Sequence, residues 1–303
     1  MVGSARRWRL LVLGLGLALA LAACGSNNKQ GASGQPTGGS SASPSVDQAL
    51  AAKVPAAIKA DGKILVGTDS SYAPSEFLDT DGKTVVGFDV DLFNAVAAKL
   101  GLKTQYQSAV FDAIIPAIQS GKYEIGVSSF TINDQRKKQV NMVRYYSAGT
   151  QWATKKGNPT GVQPDAACGK KVAVQTSTVQ DTEDLSSKRQ AQCKSAGKPA
   201  ITIDRYQRQD QATAAVVSGK DDAMLADSPV VAYAVKQTNG QLELLGGIYD
   251  SAPYGYVVKK DQTEFAQALS GAVGALIADG TYKKVLEKWG VQAGAIDKPA
   301  VNP

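Results

Sequence analysis

Histidine is absent from this chain of 303 residues, and cysteine occurs only three times. Without histidine, the chain forms neither a Ser-His-Asp nor a Cys-His catalytic pair, and it offers no imidazole ligand to a zinc ion. Positive charge is also modest: the formal charge is +6, and the nearest basic cluster is Arg136, Lys137 and Lys138. Since a nucleic-acid-binding surface needs a larger basic patch, the sequence does not indicate that class of protein.

A long apolar run is missing as well. The apolar run at 10–23 has 14 residues, whereas a helix that spans a bilayer needs about 20. Three arginines precede this run and small residues end it, the pattern of a secretory signal peptide at 1–23. The sequence Leu-Ala-Ala-Cys at 21–24 resembles the lipobox of bacterial lipoproteins, which implies a lipid on Cys24. The alternative is an ordinary signal peptide followed by a chance cysteine; on either interpretation the protein works outside the cytoplasm.

Cys168 and Cys193 are the other two cysteines. In an exported chain, two cysteines most simply pair as a disulfide. The alternative is a reactive free thiol, for which the neighbouring sequence offers no activating base. Neither interpretation makes these cysteines catalytic, and no metal ion or cofactor is expected.

Residues 24–60 are predicted to form a lipidated flexible tether. Positions 25–45 hold five glycines and six serines, a composition that buries too little apolar surface to order itself. A short helix is expected within 46–60. Removal of the signal peptide takes away three arginines and no acidic residue, so 30 basic and 27 acidic residues remain and the mature charge is +3. Such a charge suits a soluble body beside an anionic membrane.

After residue 62, strand patterns alternate with helix patterns, which indicates an α/β fold in two sets of elements, and hence two lobes. The predicted strands are 64–67, 85–88, 102–106, 124–128, 171–175, 200–204, 222–225 and 252–259. The predicted helices are 89–100, 111–118, 178–191, 210–218, 228–238, 264–278 and 281–289.

Five strings within this pattern carry a resemblance to a known family. They are GTDSSYAP at 67–74, GFDVDL at 87–92, FDAIIPAI at 111–118, SSFTI at 128–132 followed by Arg136, and ADGTY at 278–282. In order and spacing they resemble the extracytoplasmic solute-binding proteins of ABC importers, in the polar amino-acid-binding group (family 3).

The resemblance implies a two-lobed α/β fold of the periplasmic-binding-protein-like type II, with two hinge crossovers. Lobe 1 would be 61–150 plus 254–292, lobe 2 would be 151–253, and 293–303 a C-terminal tail. The implied function is capture of a polar amino acid between the lobes and its delivery to an importer permease. We expect a monomer, anchored to the outer face of the cell membrane by the lipid on Cys24, with no nucleic-acid partner.

A free amino acid presents a carboxylate and an ammonium group, and burying either without a partner is costly. The resemblance implies that Arg136 binds the carboxylate, because a guanidinium makes two parallel charge-assisted hydrogen bonds to such a group. Ser128, Ser129 and Thr131 would complete this carboxylate cradle through hydroxyl and amide groups. On spacing alone, Arg136 is instead part of a solvated basic helix face.

Two residues from the second set of elements are expected to complete the site. Thr178 lies where a strand gives way to a helix, and the free N–H groups at a helix start attract an anion. Asp227 follows the strand at 222–225, and the resemblance assigns it to the ligand ammonium. Each residue would also serve as a plain helix N-cap, and for Thr178 the two roles are compatible.

Three more residues are candidates for the ligand side chain. Tyr72 and Phe111 match positions that supply apolar walls, and core packing is the alternative for both. Asp69 either reaches a cationic side chain or braces its own loop. After the proline that corresponds to Pro74, the family often has phenylalanine, whereas this chain has Ser75. The identity of the bound amino acid is therefore left open.

Two other functions stay as alternatives. Some proteins of this fold are cyclohexadienyl dehydratases, and an enzyme without histidine would depend on carboxylates such as Asp69 or Asp227. Other proteins carry a fused peptidoglycan-cleaving domain, which is not expected in the 13 residues after Gly290. A sensor or adhesin would bind a ligand without supporting uptake. The predicted function is therefore binding and not catalysis.

Overall fold

The computed structural model of the protein describes residues 45–303. The predicted signal peptide, Cys24 and the tether as far as residue 44 lie outside the described residues. The described end of the tether is helical: α1 (Gln48–Ala52) begins at Asp47, whose side chain caps its first N–H groups, and α2 (Ala56–Ala60) follows. The short helix expected within 46–60 is therefore two helices.

Within the described residues, the strands form two sheets. They are β1 (Lys63–Thr68), β2 (Ser71–Tyr72), β3 (Glu76–Leu78), β4 (Val85–Val86), β5 (Lys103–Ser108), β6 (Ile125–Gly126), β7 (Val140–Lys155), β8 (Lys171–Gln175), β9 (Thr202–Tyr206), β10 (Ala223–Asp227) and β11 (Leu242–Lys259). The large sheet has the order β5-β1-β6-β11-β7-β10-β8-β9, and β2, β3 and β4 form a small antiparallel sheet.

Helices connect these strands. They are α3 (Phe88–Lys99), α4 (Phe111–Ser120), α5 (Asp134–Gln139), a π-helix (Gln180–Arg189) that continues into α6 (Gln190–Ser195), α7 (Gln209–Ser218), α8 (Ser228–Gln237), α9 (Thr263–Ala278) and α10 (Thr281–Trp289).

The large sheet has two outer parts joined by two long central strands. On one side β1 pairs in parallel with β5 and β6, and on the other side β8 pairs in parallel with β9 and β10. Between them β7 and β11 run antiparallel; β11 pairs with β6 near one end of this ribbon, and β7 pairs with β10 near the other. This topology confirms the predicted two-lobed α/β fold with two crossovers.

Most predicted helices and strands match the observed elements, but the strand predicted at 252–259 is only the last part of β11, which begins at Leu242, and the helix predicted at 178–191 is a π-helix followed by α6, which ends at Ser195. The helix predicted at 89–100 is α3, and the apolar residues along one side of it, Phe93, Val96, Ala97 and Leu100, are buried. Two strands are shorter than predicted: Phe88 already begins α3, so only Val85–Val86 of the stretch 85–88 is a strand, and only Ile125–Gly126 of 124–128 pairs in the sheet.

The strand β7 is not predicted by the sequence, although it is one of the two longest. Nearly all of its residues are buried on both faces of the sheet, so its side chains do not alternate between apolar and polar. Polar residues such as Asn141, Gln151 and Thr154 are also buried here, and they interrupt the apolar run that would otherwise mark a central strand.

Gly87 determines how the small sheet meets α3. It has a φ of 141°, a region that favours glycine, and a Cβ at this position would lie 2.0 Å from the carbonyl oxygen of Ser75. This close approach lets the first two amides of α3 donate hydrogen bonds to the carbonyl groups of Pro74 and Ser75, at 3.0 and 3.1 Å. Glu76 of β3 is consequently held beside the first turn of α3.

Cys168 and Cys193 form the predicted disulfide, with their Cα atoms 5.6 Å apart. The bond ties the segment before β8 to α6, and Cys193 is buried in an apolar cluster of the second lobe. The alternative of a free reactive thiol is therefore wrong for this structure.

The predicted C-terminal tail, 293–303, packs along the beginning of β7. The amide of Arg144 donates to the carbonyl group of Ala300 at 2.8 Å, and Val301 forms an isolated bridge with Val143. The tail is thus packed against the first lobe.

Candidate functional site

A narrow cavity lies between the two lobes, and every residue predicted to contact the ligand lines it. These residues are Asp69, Tyr72, Phe111, Ser128, Ser129, Thr131, Arg136, Thr178 and Asp227. Hydrogen bonds join the lobes around the cavity, from Tyr72 Oη to Asp227 Oδ2 (2.9 Å), from Gln175 Nε2 to Asp69 Oδ2 (3.0 Å) and from Arg136 Nη2 to the carbonyl of Ser177 (3.2 Å). The lobes are therefore closed on one another.

Arg136 enters the cavity from the short helix α5. Asn133 caps this helix by accepting a hydrogen bond from the amide of Arg136 at 2.9 Å, which fixes the backbone position of the arginine. Its guanidinium donates from Nη1 to the carbonyl of Thr131 (2.8 Å) and lies 5.3 and 5.6 Å from the ring centres of Phe111 and Phe130. These contacts with a backbone carbonyl group and with two aromatic rings orient the guanidinium, but they do not neutralise its charge.

The guanidinium of Arg136 is buried, with the residue only 9% exposed, and burial lowers its pKa to about 10. Among residues 45–303 it forms no ion pair with a carboxylate, whereas Arg189, which is equally buried, is paired with Asp184 at 2.8 Å. The neighbouring Lys138 is exposed. The alternative of a solvated basic face therefore fits Lys138 but not Arg136, which is a buried cation in need of an anion.

The Ser128 and Ser129 side chains lie between the cavity and a buried pair of carboxyl groups. Ser128 Oγ accepts a hydrogen bond from the amide of Asp69 (2.9 Å) and donates to Glu76 Oε1 (3.3 Å), and Ser129 Oγ donates to Glu76 Oε2 (3.2 Å). Thr131 contributes its carbonyl group to Arg136. The residues of the predicted carboxylate cradle therefore lie together at one end of the cavity, but the hydroxyls of Ser128 and Ser129 donate to Glu76, and their contact with a ligand carboxylate stays a prediction.

Glu76 and Asp89 form the carboxyl pair behind this cradle. Burial raises the pKa of both groups, to about 7 for Asp89, and a hydrogen bond links the two carboxyl groups. Asp89 Oδ2 accepts from the amide of Ser129 (3.3 Å) and from the hydroxyl of Tyr145, while its Oδ1 is buried with no other donor among the described residues. A proton held between the two carboxyl groups would satisfy this oxygen.

Thr178 lies two residues before the π-helix, and its hydroxyl accepts a hydrogen bond from an amide of that helix. Its hydroxyl donates to the carbonyl of Gln175 (2.9 Å) and accepts from the amide of Asp181 (3.3 Å), while Asp181 Oδ2 accepts from the amide of Ser177 (3.0 Å). The capping role is thus present. The residue also lines the cavity, and its contact with a ligand stays a prediction.

Asp227 ends β10 and precedes α8, but its side chain does not cap that helix. Instead, Oδ2 accepts from the hydroxyl of Tyr72 (2.9 Å) and Oδ1 accepts from Gln180 Nε2 (2.8 Å). Burial raises the pKa of Asp227, and the charge of Arg136 acts in the opposite direction. The capping hydrogen bond of the alternative interpretation is not present, and the carboxylate is directed into the cavity.

Asp69 follows β1 and accepts hydrogen bonds on both carboxylate oxygens. Oδ1 accepts from the amide (3.1 Å) and hydroxyl (2.5 Å) of Ser71, and Oδ2 accepts from the amide of Phe111 (3.0 Å) and from Gln175 Nε2 (3.0 Å). Burial raises its pKa, and it forms no ion pair within the described part of the chain. Asp69 therefore holds its own loop in place through these hydrogen bonds, and its contact with a cationic ligand side chain stays a prediction.

The two aromatic candidates belong to the cavity wall and to the core at once. Phe111 stacks on Phe130 with ring centres 4.7 Å apart, and Tyr72 packs in the apolar cluster of the second lobe while its hydroxyl reaches Asp227. The core-packing alternative and the wall prediction are consequently both compatible with these positions.

The cavity also contains residues that the sequence analysis does not identify, namely Glu76, Gln175, Val179 and Gln180. For Gln175, its position in the sequence was a signal that could have identified it. It ends β8, which pairs in parallel with β10, and the carboxyl ends of parallel strands meet at one sheet edge where ligands bind. Glu76 gave no such signal, because its pairing with Asp89 depends on the tertiary structure.

The fold and the cavity between the lobes are those of a two-lobed solute-binding protein. Comparison with known proteins agrees. The profile of the bacterial extracellular solute-binding proteins, family 3, matches residues 64–292. The chain is 35% identical over 281 residues to the arginine-binding protein ArgT of Corynebacterium glutamicum, which covers 93% of this chain and 90% of that protein.

Solved structures resemble the chain to a similar degree. An ancestral arginine-binding protein bound to arginine has a TM-score of 0.69 at 35% identity, over 75% of this chain and 98% of that one. The ancestral amino acid-binding protein AncCDT-1, a precursor of cyclohexadienyl dehydratase, has a TM-score of 0.66 at 33% identity, over 77% and 97%. The chain therefore belongs to family 3 of the bacterial extracellular solute-binding proteins, which function outside the cytoplasm.

Two negative findings concern the described residues. Across residues 45–303, no helix combines the length and apolar character that crossing a membrane requires. In the same part of the chain, histidine, cysteine and acidic side chains form no group of three or more that could hold a metal ion.

Proposed function

We propose that this protein is a lipid-anchored receptor that captures an amino acid with a cationic side chain, with arginine as the first candidate, and delivers it to an ABC importer permease. The observation that carries the proposal is the charge balance of the cavity. Among the described residues, its lining contains one guanidinium without an ion-pair partner, Arg136, and three carboxyl groups: Glu76, which is paired with Asp89, and Asp69 and Asp227, which form no ion pair.

The carboxylate and ammonium charges of an α-amino acid neutralise only some of the charged side chains in the cavity. Its carboxylate pairs with Arg136 and its ammonium with Asp227, which leaves the negative charge of Asp69 buried without a counter-ion. A third ligand charge, positive and on the side chain, removes this imbalance. The names of relatives support the same class of ligand, since ArgT is called an arginine-binding protein and one similar solved structure contains arginine.

Ligand capture in this proposal is coupled to closure of the lobes. Arg136 and Asp69 belong to the lobe with β1, whereas Thr178 and Asp227 belong to the lobe with β8 and β10. A ligand that contacts both sides stabilises the closed form and shifts an open–closed equilibrium about the ribbon of β7 and β11. The lobe limits in this proposal are 61–150 plus 254–292 for lobe 1 and 151–253 for lobe 2.

The membrane attachment is proposed from the sequence. Cleavage after residue 23 and a lipid on Cys24 would hold the protein at the outer face of the cell membrane. The stretch from 25 to 44 would serve as the tether that lets the lobes reach the permease. We propose that the receptor is a monomer and that it is not an enzyme.

Isothermal titration of the purified exported protein against the twenty amino acids tests the ligand class. We expect arginine to bind with a Kd near or below about 1 μM, which corresponds to roughly −8 kcal/mol, and acidic amino acids not to bind. Tight binding of glutamate or of an apolar amino acid, with none of arginine or lysine, would refute the charge argument.

Uptake and turnover assays test the rest of the proposal. Cells that lack this protein should lose high-affinity uptake of labelled arginine, and unchanged uptake would favour a sensor or adhesin. Incubation with prephenate or arogenate should give no product, and steady turnover would establish the dehydratase alternative. Metabolic labelling with palmitate should mark the wild-type chain but not a Cys24→Ser variant.

A further inference from the structure

The cavity has a distinct end formed by Asp69, Phe111 and Gln175. The amide of Phe111 and Gln175 Nε2 both donate to the same oxygen of Asp69, each at 3.0 Å, so Asp69 joins the other two residues. All of them line the cavity. We call this end the side-chain subsite, because Arg136 and Asp227 supply the partners for the α-carboxylate and α-ammonium groups.

The orientation of the Gln175 amide is fixed by its neighbours. Its Nε2 donates to Asp69 Oδ2 (3.0 Å) and to the carbonyl of Gln207 (3.2 Å), so both of its N–H groups are used on acceptors. Turning the amide over would set its oxygen against a carboxylate and a carbonyl group. The Oε1 atom therefore points away from both, and it is buried with no donor among residues 45–303.

The hydrogen-bonding capacity of Asp69 is already used. Ser71 supplies two donors to Oδ1, and Phe111 and Gln175 supply one each to Oδ2. A carboxylate accepts about four hydrogen bonds, so Asp69 retains its charge but has little room for a further donor. In the subsite, the acceptor that still lacks a donor is Gln175 Oε1.

We propose that Gln175 is a specificity-determining residue whose Oε1 accepts an N–H group from the cationic side chain of the ligand, while Asp69 supplies the negative charge. The proposal rests on the proposed function, because it requires a ligand that carries both a charge and side-chain N–H donors. Arginine meets both requirements, since its guanidinium has five N–H donors in a fixed plane.

Three ligands separate the acceptor from the charge. Arginine carries both the charge and the N–H donors. Citrulline has N–H donors of similar position but no charge, and norvaline has the same α-groups with a short apolar side chain. Titrations of these ligands, with competition against bound arginine where direct binding is weak, give a Kd for each variant.

For Gln175→Leu, we expect arginine and citrulline to bind about 10- to 100-fold more weakly, as for loss of one hydrogen bond to or near a charged group. Norvaline should be affected by less than about threefold, because it donates nothing to Oε1. For Asp69→Asn, the preference for arginine over citrulline should fall by at least about tenfold, whereas Gln175→Leu should leave that preference nearly unchanged.

The exposed Gln192 provides a matched control, since Gln192→Leu makes the same chemical change on the surface. Its three Kd values and its thermal unfolding midpoint should equal those of the wild type. Equal losses for arginine and norvaline in Gln175→Leu would show a merely structural role and overturn the proposal, as would unchanged arginine binding. A wild-type protein that binds no arginine would instead refute the proposed function, and the two failures are thus distinguishable.

Discussion

Replacement of Arg136 by methionine should separate binding from stability. The change keeps a long side chain against Phe111 and Phe130 but removes the charge and the donors. A ligand carboxylate would lose two charge-assisted hydrogen bonds, each worth about 1.5–3 kcal/mol. The expected loss of about 3–6 kcal/mol corresponds to a Kd roughly 10²- to 10⁴-fold higher.

The free energy of unfolding should change far less than the affinity. Burial lowers the pKa of Arg136 from its ordinary value to about 10, which corresponds to roughly 3 kcal/mol against the charged form in the ligand-free fold. Removing the charge recovers this energy. It also leaves the carbonyl groups of Thr131 and Ser177 without a donor, at about 1–3 kcal/mol each. These terms nearly cancel, so we expect a net change within about 2 kcal/mol.

Titration with arginine and urea unfolding of the ligand-free protein measure the two quantities. The control is Lys138→Met, which makes a similar change at an exposed position of the same helix, and it should alter neither quantity. A variant at Arg136 that binds arginine as tightly as the wild type, or that loses stability in proportion to affinity, would refute the assignment of a buried cation kept for the ligand.

Three further predictions concern other groups. Asp227→Asn should raise the Kd for arginine by about 10- to 100-fold in titrations, and an unchanged value would contradict its role as the ammonium partner. Replacing Cys168 and Cys193 by serine should lower the free energy of unfolding by about 3–4 kcal/mol, since the bond closes a separation of 25 residues; a loss below about 1 kcal/mol would argue against this. Because burial raises the pKa of Asp89 to about 7 in the fold, and that of Glu76 as well, their contribution to stability is present at low pH and is lost as the pH rises through about 7. Urea unfolding should show this decline in the wild type and a flatter profile in Asp89→Asn, and parallel profiles would contradict it.

The alternation of strands and helices could be predicted from local patterns, because most outer strands and the amphipathic helices carry their own signal. The helix α3 is an example: Gly87 and Gly101 bound an apolar stripe that the structure buries. The ribbon of β7 and β11 is different. It is a property of the whole sheet, and its buried polar residues and register shifts hide it from a reading of short windows.

The candidate site followed a similar division. Arg136 stands out from Lys138 only through the family resemblance, because the sequence places both in one short run of basic residues. The structure supplies the physical difference, since Arg136 is buried without a carboxylate partner within residues 45–303 and Lys138 is exposed. The position of Gln175 at the end of β8 was a signal that the sequence analysis did not use, whereas the role of Glu76 depends on its tertiary pairing with Asp89.

A crystal structure of the protein grown with arginine is the most direct test of the account. The ligand carboxylate should lie within hydrogen-bonding distance of the Arg136 guanidinium, and the ligand ammonium should contact Asp227. The guanidinium of the ligand should point towards Asp69 and Gln175. An empty cavity at saturating arginine, or a ligand bound with Arg136 turned out to solvent, would contradict the central claim.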